Sequence, residues 1–273
     1  MRQAGHNVLG YVSNPQSMHV FDAQQSLGFQ GLAPLSTDAI AQADWVWVSV
    51  GDDAIAHAAS QVRWQPHQVA LHCSGATELS ALGAHACSGL IGFHPLQIFS
   101  QPHVALQHLP GSSVGIEVQA KAQHADALWT QVNALADSLQ LKPIPIASGQ
   151  RALYHAGAGY AASAVVSMLA EATALWREAG IDTDQALKAL LPLSAGAIAS
   201  IEAKGLAGAV AGPVARGDAG VVRQHLQALA TMGADATLLY QQVAKRQLHL
   251  LAAAQELEPQ PIRQLNALLN NNA

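Results

Sequence analysis

The sequence predicts an α/β domain followed by an all-α domain. Two observations carry that prediction. Up to about residue 149, short apolar runs of strand length alternate with segments of helical periodicity. This is the pattern of a parallel sheet covered by helices on both faces. Beyond that point no run reads as a strand, and helical stretches follow one another. A third observation bounds the size. The 273 residues are half hydrophobic and only 11% charged, enough for two cores and too apolar for extended disorder. The expected domains are therefore 1–149 and 150–273.

In chain order, RQAGH (2–6) reads as the end of a helix closed by Gly5, and NVLGYV (7–12) as a buried strand. A helix is expected over 15–26. The continuous β-branched and aromatic run DWVWVSV (44–50) is the next strand, followed by a helix over 52–62. QVALHC (68–73), GLIGF (89–93), SVGIEV (113–118) and KPIPIA (142–147) are further strands, with a helix over 121–140. Parallel connections should be right-handed. Residues 151–180 contain no proline and end in WREAG, with Arg177 near the stop and Gly180 just past it, so they read as one long helix. Helices over 183–204, 218–232 and 234–256 follow, with Pro192 as a kink or break. The terminal NALLNNNA reads as frayed.

Composition excludes several classes of function. A formal net charge of −5 and no Lys/Arg cluster argue against nucleic acid. Cys73 and Cys87 make no disulfide framework, so a reducing cytoplasm is expected. No run resembles a signal peptide. The most apolar stretch, Ala156 to Ala170, is rich in Ala and Gly and stops at Glu171, too short to span a bilayer. There are thirteen histidines, but no spacing among them or the cysteines matches a metal module, and no metal is expected.

Six blocks carry a resemblance: AGHNVLGYVS (4–13), SVGDDAIAHAA (49–59), LHCSGA (71–76), GFHPLQIFS (92–100), YHAGAGYAASAVVSML (154–169) and AGPVARGD (211–218). In this order they resemble the DUF2520 group of Rossmann-like proteins. These are relatives of pyrroline-5-carboxylate reductase, prephenate dehydrogenase and 6-phosphogluconate dehydrogenase. The resemblance implies a Rossmann-like parallel sheet followed by an all-α domain of the 6-phosphogluconate dehydrogenase type. It also implies a nicotinamide cofactor and a homodimer built on the helical domain.

In that family the AGH block is preceded by a strand and a glycine-rich turn, which places helix-terminal amides against the pyrophosphate. Only MRQAGH stands before NVLGYV here, so the resemblance implies an N-terminally truncated sheet. The open alternative is an ordinary N-terminus before an edge strand. Ser13 and Asn14 end that strand, where an acidic residue would bind the ribose of NAD. The absence of the acid leans to NADP, with NAD remaining open. Asn14 stands where the family tends to carry Arg. A polar strand exit with no ligand is the other reading.

Val50 and Gly51 follow the WVWVSV strand, where ligands lie in open α/β sheets, and their backbone is a candidate cofactor contact. Asp52 or Asp53 is expected to cap the following helix. Ser74 and Gly75, in a small turn after QVALHC, are candidates for a nicotinamide ring or ribose. His72 is a candidate substrate contact or a packed histidine. Cys73 lacks a basic neighbour other than His72 and is not proposed as a nucleophile. His94, followed by Pro95 in a block like the G-x-H-P stretch of prephenate dehydrogenases, follows its strand and could face a crevice or be buried.

On the long helix, His155 and Ser163 differ by about 80° at 3.6 residues per turn, so both can border one cleft. His155 is the first candidate for exchanging the proton that accompanies hydride transfer; packing against the first domain is the alternative. Arg216, in a loop closed by Asp218 as a helix cap, either clamps a substrate carboxylate or pairs with Asp218 or a neighbouring domain.

The expected activity is hydride transfer between a nicotinamide cofactor and a small carbonyl, imine or alcohol. The alternatives are a non-catalytic ligand-binding or regulatory protein without the cofactor loop, and a structural dimerisation protein.

Overall fold

The computed structural model describes residues 1–12 and 38–270. By contacts the chain forms two compact units, Met1–Val165 and Val166–Ala273.

Among the described residues, the first unit holds a five-stranded sheet in sequence order: β1 (Trp45–Val48), β2 (Val69–His72), β3 (Gly89–Pro95), β4 (Ser113–Ala120) and β5 (Lys142–Pro145). The β1–β2, β2–β3 and β4–β5 pairs are parallel. The β3–β4 pair is antiparallel, which corrects the all-parallel expectation. An apolar strand carries no sign of its direction, and the segment between β3 and β4 contributes only the short helix α2 (Pro102–His108).

Strand alternation sends successive side chains to opposite faces. Val69, Leu71, Ile91, Phe93, Val114 and Ile116 pack on one face against Leu128, Val132, Leu135 and Ala136 of α3 (Ala122–Ser138). Ala70 and Leu90 turn to the other face, with Val48, and meet Ile55 and Ala59 of α1 (Ile55–Ser60). The sheet is therefore covered on both sides. β5 is an exposed end strand holding Pro143 and Pro145, a position where the missing amide protons cost no ladder bond.

Several expectations are corrected. Arg2–Ala4 form a single 3₁₀ turn closed by Gly5 at φ 83°, as the RQAGH reading required. Residues 7–12 form no strand, and Tyr11 makes only an isolated bridge. A strand is held by a ladder, and this segment joins none of those between β1 and β5. The expected helix over 15–26 lies outside the described residues. Asp52 and Asp53 lie inside a 3₁₀ turn, Asp52–Ala54, and make no side-chain cap bond.

The stretch 151–180 is two helices, α4 (Arg151–Ala161) and α5 (Ser163–Glu178), broken at Ala162 with φ −113° and ψ −73°. The small residues Gly157, Gly159 and Ser163 around the break offer little packing to hold the turn. By contacts α4 belongs with the sheet.

In the second unit, α6 (Thr183–Gly208) runs through Pro192 without ending there. Its backbone departs from helix at Gly205, φ 74°. Asp182 caps its start by accepting from the amides of Asp184 and Gln185. After it come α7 (Gly212–Ala215), α8 (Ala219–Ala230), α9 (Ala234–Ala253) and α10 (Pro259–Asn270).

The core of this unit joins Val214, Val222, Ala244, Leu248 and Leu251 to Leu265 and Leu269. Residues 259–270, part of which reads as a frayed tail, are thus a packed helix. Its Ile262, Leu265 and Leu269 recur at helical spacing.

By length and mean hydropathy, 1.3 each, Arg151–Glu178 and Thr183–Ala215 could cross a membrane. The first is broken at Ala162 and begins at a buried Arg151.

Candidate functional site

The site grows out of strand register. β2, β3 and β4 align His72 with Gly92 and Gly92 with Glu117, one row across the sheet. The next row pairs His94 with Gly115. All five residues lie on the face opposite Phe93 and Ile116, because they alternate with those core residues. Arg151, Tyr154 and His155 occupy one side of α4, at spacings of three and four. That side of α4 lies over the two rows.

The glycines make the room. A Cβ on Gly92 would collide with the Arg151 guanidinium, and one on Gly115 with the Tyr154 hydroxyl. A Cβ on Gly75, in the turn after β2, would collide with the His155 ring and stand 2.9 Å from His94 Cε1.

Arg151 is fully buried. Its guanidinium meets the Glu117 carboxylate at 3.4 Å, donates to the Ser74 carbonyl, and leaves Nε without a partner among the described residues. Burial raises Glu117 above the ordinary carboxylate range, against the pull of Arg151.

Over the second row, the Tyr154 hydroxyl lies 3.0 Å from His94 Nδ1, and burial holds the phenol's ionisation above its usual value. The His155 ring stands across that of His94 at a centroid distance of 5.6 Å. Burial, then the neighbouring His155 and Arg151, push His94 down to about 4, with the Asp52 carboxylate acting in the other direction. His94 is therefore neutral at physiological pH.

His94 and Pro95 lie within β3, which runs two residues beyond its expected end. His155 is exposed beside His94 rather than packed in the core. His72 is fully buried, and neither ring nitrogen has hydrogen-bond geometry with a described residue. Burial, with Arg151 beyond it, lowers His72 to about 4, with the Asp52 carboxylate acting in the other direction. His72 offers no accessible surface to a substrate, as the packed-histidine alternative held.

The Ser74 hydroxyl is committed to its own turn. It donates to Thr77 Oγ1 at 2.9 Å and accepts from the Thr77 amide at 2.9 Å, so it is not free for a ribose. Cys73 is pushed up to about 11 by burial and is no nucleophile at neutral pH. Val50 and Gly51 are exposed just past the end of β1. Ser13 and Asn14 lie outside the described residues.

The Ser163 geometry and the Arg216–Asp218 pair are both absent from the described residues. Ser163 opens α5 after the break at Ala162, so the eight-residue helical arithmetic linking it to His155 does not apply. Arg216, in the second unit, is exposed at the end of α7 and makes no ion pair among the described residues. Asp218 instead caps α8 by accepting from the Val221 amide at 3.0 Å.

Sequence reasoning missed Arg151, Glu117 and Tyr154. The signals were present: opposite charges inside two apolar runs, and glycines inside two strands, which mark close approach of another element.

Residues 118–247 match the DUF2520 family. Its description is a domain of unknown function. The fold is similar to that of a Bacteroides fragilis protein provisionally named an NADP oxidoreductase. The two share 20% identity over 90% of each chain, with a TM-score of 0.66. A Thermotoga maritima protein is similar at 23% identity, over 77% of this chain and 79% of its own, with a TM-score of 0.64. A 1-pyrroline-5-carboxylate reductase of Streptococcus pyogenes is similar at 15% identity, over 94% and 87%, with a TM-score of 0.55. No curated protein matches the chain. The architecture beside the DUF2520 match is Rossmann-like α/β followed by an α-helical region.

Proposed function

We propose that this protein is a nicotinamide-dependent oxidoreductase. It would transfer a hydride between NADP, or alternatively NAD, and a small carbonyl, imine or alcohol. The observation that carries the reading is the grouping of His94, Tyr154 and His155 at the carboxyl end of β3, beside the turn after β2. Ligands of open α/β sheets bind at such strand ends. The fold likeness to a protein provisionally named an NADP oxidoreductase and to a pyrroline carboxylate reductase supports it.

The residues present fit a nicotinamide. Gly51, exposed past β1, has open space where a Cβ would stand, and the turn at Gly75 brings backbone against the two histidine rings. Val50, Gly51 and Gly75 would hold the ring and its ribose by backbone contact. The nicotinamide, when bound, supplies or accepts the hydride. His155, exposed and beside His94, exchanges the proton with the substrate's oxygen or nitrogen. His94 orients the substrate, and the Arg151–Glu117 pair anchors the helix that carries His155.

A fluorescence titration with NADPH tests the cofactor, and turnover of a carbonyl panel tests the chemistry. His155→Ala should cut turnover by about 10²–10⁴-fold with NADPH affinity kept. Failure of the wild-type chain to bind either nicotinamide would overturn the reading.

The helical unit leaves Val166, Leu191, Leu193, Ile198 and Leu206 exposed, between 49% and 69%. A second copy of the chain is the proposed cover for these residues. The free cysteines Cys73 and Cys87 support a cytoplasmic protein.

A further inference from the structure

We propose that Tyr154 is a positioning residue that fixes the tautomer of His94. The phenol gives its proton to Nδ1, so the ring carries its own proton on Nε2 and offers it to a carbonyl or carboxylate oxygen of the ligand. The ligand class rests on the oxidoreductase reading; the tautomer rests on the Tyr154–His94 contact and on the burial of both groups.

The Tyr154 oxygen lies 3.0 Å from His94 Nδ1. Its phenol is partly buried and keeps its proton well past neutrality, so that proton requires an acceptor. Among the described residues, His94 Nδ1 stands at hydrogen-bond distance from it and can accept it. A neutral imidazole accepts at one nitrogen and donates at the other, so the bond made at Nδ1 decides what Nε2 does.

Nε2 is on the side away from Tyr154. A Cβ on Gly75 would stand 3.0 Å from Nε2 and would also strike the His155 ring. The Nε2–H edge therefore lies over a backbone without a side chain, next to the exposed His155.

The groups around His94 keep this arrangement at neutral pH. From α4, Arg151 and His155 oppose a second proton on the ring, and Tyr154 fills Nδ1. From the turn after β1, Asp52 favours the second proton but does not outweigh burial. From β4, the Glu117 charge is taken up by Arg151. A doubly protonated His94 would donate at both nitrogens and force the phenol to reverse.

The two histidines then divide the work. His155 exchanges a proton, while His94 donates a hydrogen bond without titrating, as a neutral imidazole electrophile does in other enzymes. An oxygen acceptor suits such a donor; an ammonium group does not.

The test is long-range ¹H–¹⁵N NMR of imidazole nitrogens in the full chain, between about pH 5.5 and 8, the range in which ordinary histidines titrate. His94 is assigned by the signal lost in His94→Gln. The expected result is a single Nε2–H tautomer with constant shifts across that range. Tyr154→Phe should convert it to a tautomer mixture, with the backbone amide spectrum otherwise kept. A wild-type His94 protonated on Nδ1, or an unchanged tautomer in Tyr154→Phe, would overturn the proposal. Should Tyr154→Phe fail to fold, the wild-type tautomer and its pH profile decide the matter. NADPH titrated into the same sample reads the cofactor separately: no binding sinks the oxidoreductase reading and leaves the tautomer result standing.

Discussion

Replacing Arg151 with methionine would keep most of the side chain's apolar stem and remove its guanidinium. The structure sets the cost. Arg151 is fully buried, and the Glu117 carboxylate it meets at 3.4 Å is 4% exposed. The variant would leave that carboxylate beneath α4 with no cation. Removing one partner of a buried pair costs about 3–5 kcal/mol, because the stranded charge keeps its desolvation penalty.

The pH dependence follows in sign. Burial already holds Glu117 above its usual range, and Arg151 is the largest influence restraining it. Without Arg151, Glu117 would rise further and bind its proton more tightly folded than unfolded. Such a group stabilises the fold at low pH, and that stability is lost as pH rises through the folded value. Arg151 also helps hold His72 and His94 down, so their protonation would cost the variant less in acid. Both effects make the deficit larger at high pH than at low.

Urea unfolding would be followed by the fluorescence of Trp45, Trp47, Trp64 and Trp129, with Trp176 replaced by Phe so that the signal reports the first unit. The loss should be about 3–5 kcal/mol at alkaline pH and smaller in acid, and Glu117→Leu in the Arg151→Met background should recover most of it. A loss below about 1 kcal/mol, the scale of an exposed pair, or no recovery in the double variant, would refute the reasoning.

Two further outcomes are expected. Because His72 falls from 6.5 to about 4, the unfolded chain binds its proton first as pH drops through that window. Wild-type stability should therefore fall between those values, by up to about 3 kcal/mol from this residue. His72→Leu should be near neutral at pH 8 and flatten the acid slope in urea titrations; an unchanged slope would exclude His72 as its source. For the exposed apolar residues of α5 and α6, light scattering at tens of micromolar, a concentration on the order of that used to judge stable interfaces, should give a dimer mass. A monomer there, or association only with lipid vesicles, would remove the second-copy reading.

Much of the fold was legible along the chain because it is written in local patterns. The runs at 44–50, 68–73, 89–93, 113–118 and 142–147 each fall on a strand, since β-branched and aromatic residues bounded by turns bury on a pleated surface. Gly5 and Asp218 close or open their helices with backbone and side-chain groups only a few residues away. His94 and His155 could be nominated singly, from their residue type and the elements beside them.

What the sequence could not disclose depends on partners far along the chain. The direction of β4 is set by its neighbours and leaves no trace in SVGIEVQA. The break at Ala162 follows no proline, and it undoes any wheel drawn from His155 to Ser163. Only the register of three strands brings His72, Gly92 and Glu117 into a row, and only α4 lying across that row buries Arg151 against it. The tertiary structure therefore decided the chemistry of the site. Which nitrogen of His94 is free, and how far its proton affinity falls, are consequences of desolvation and of charges brought within a few ångströms by folding, and neither quantity exists in the unfolded chain.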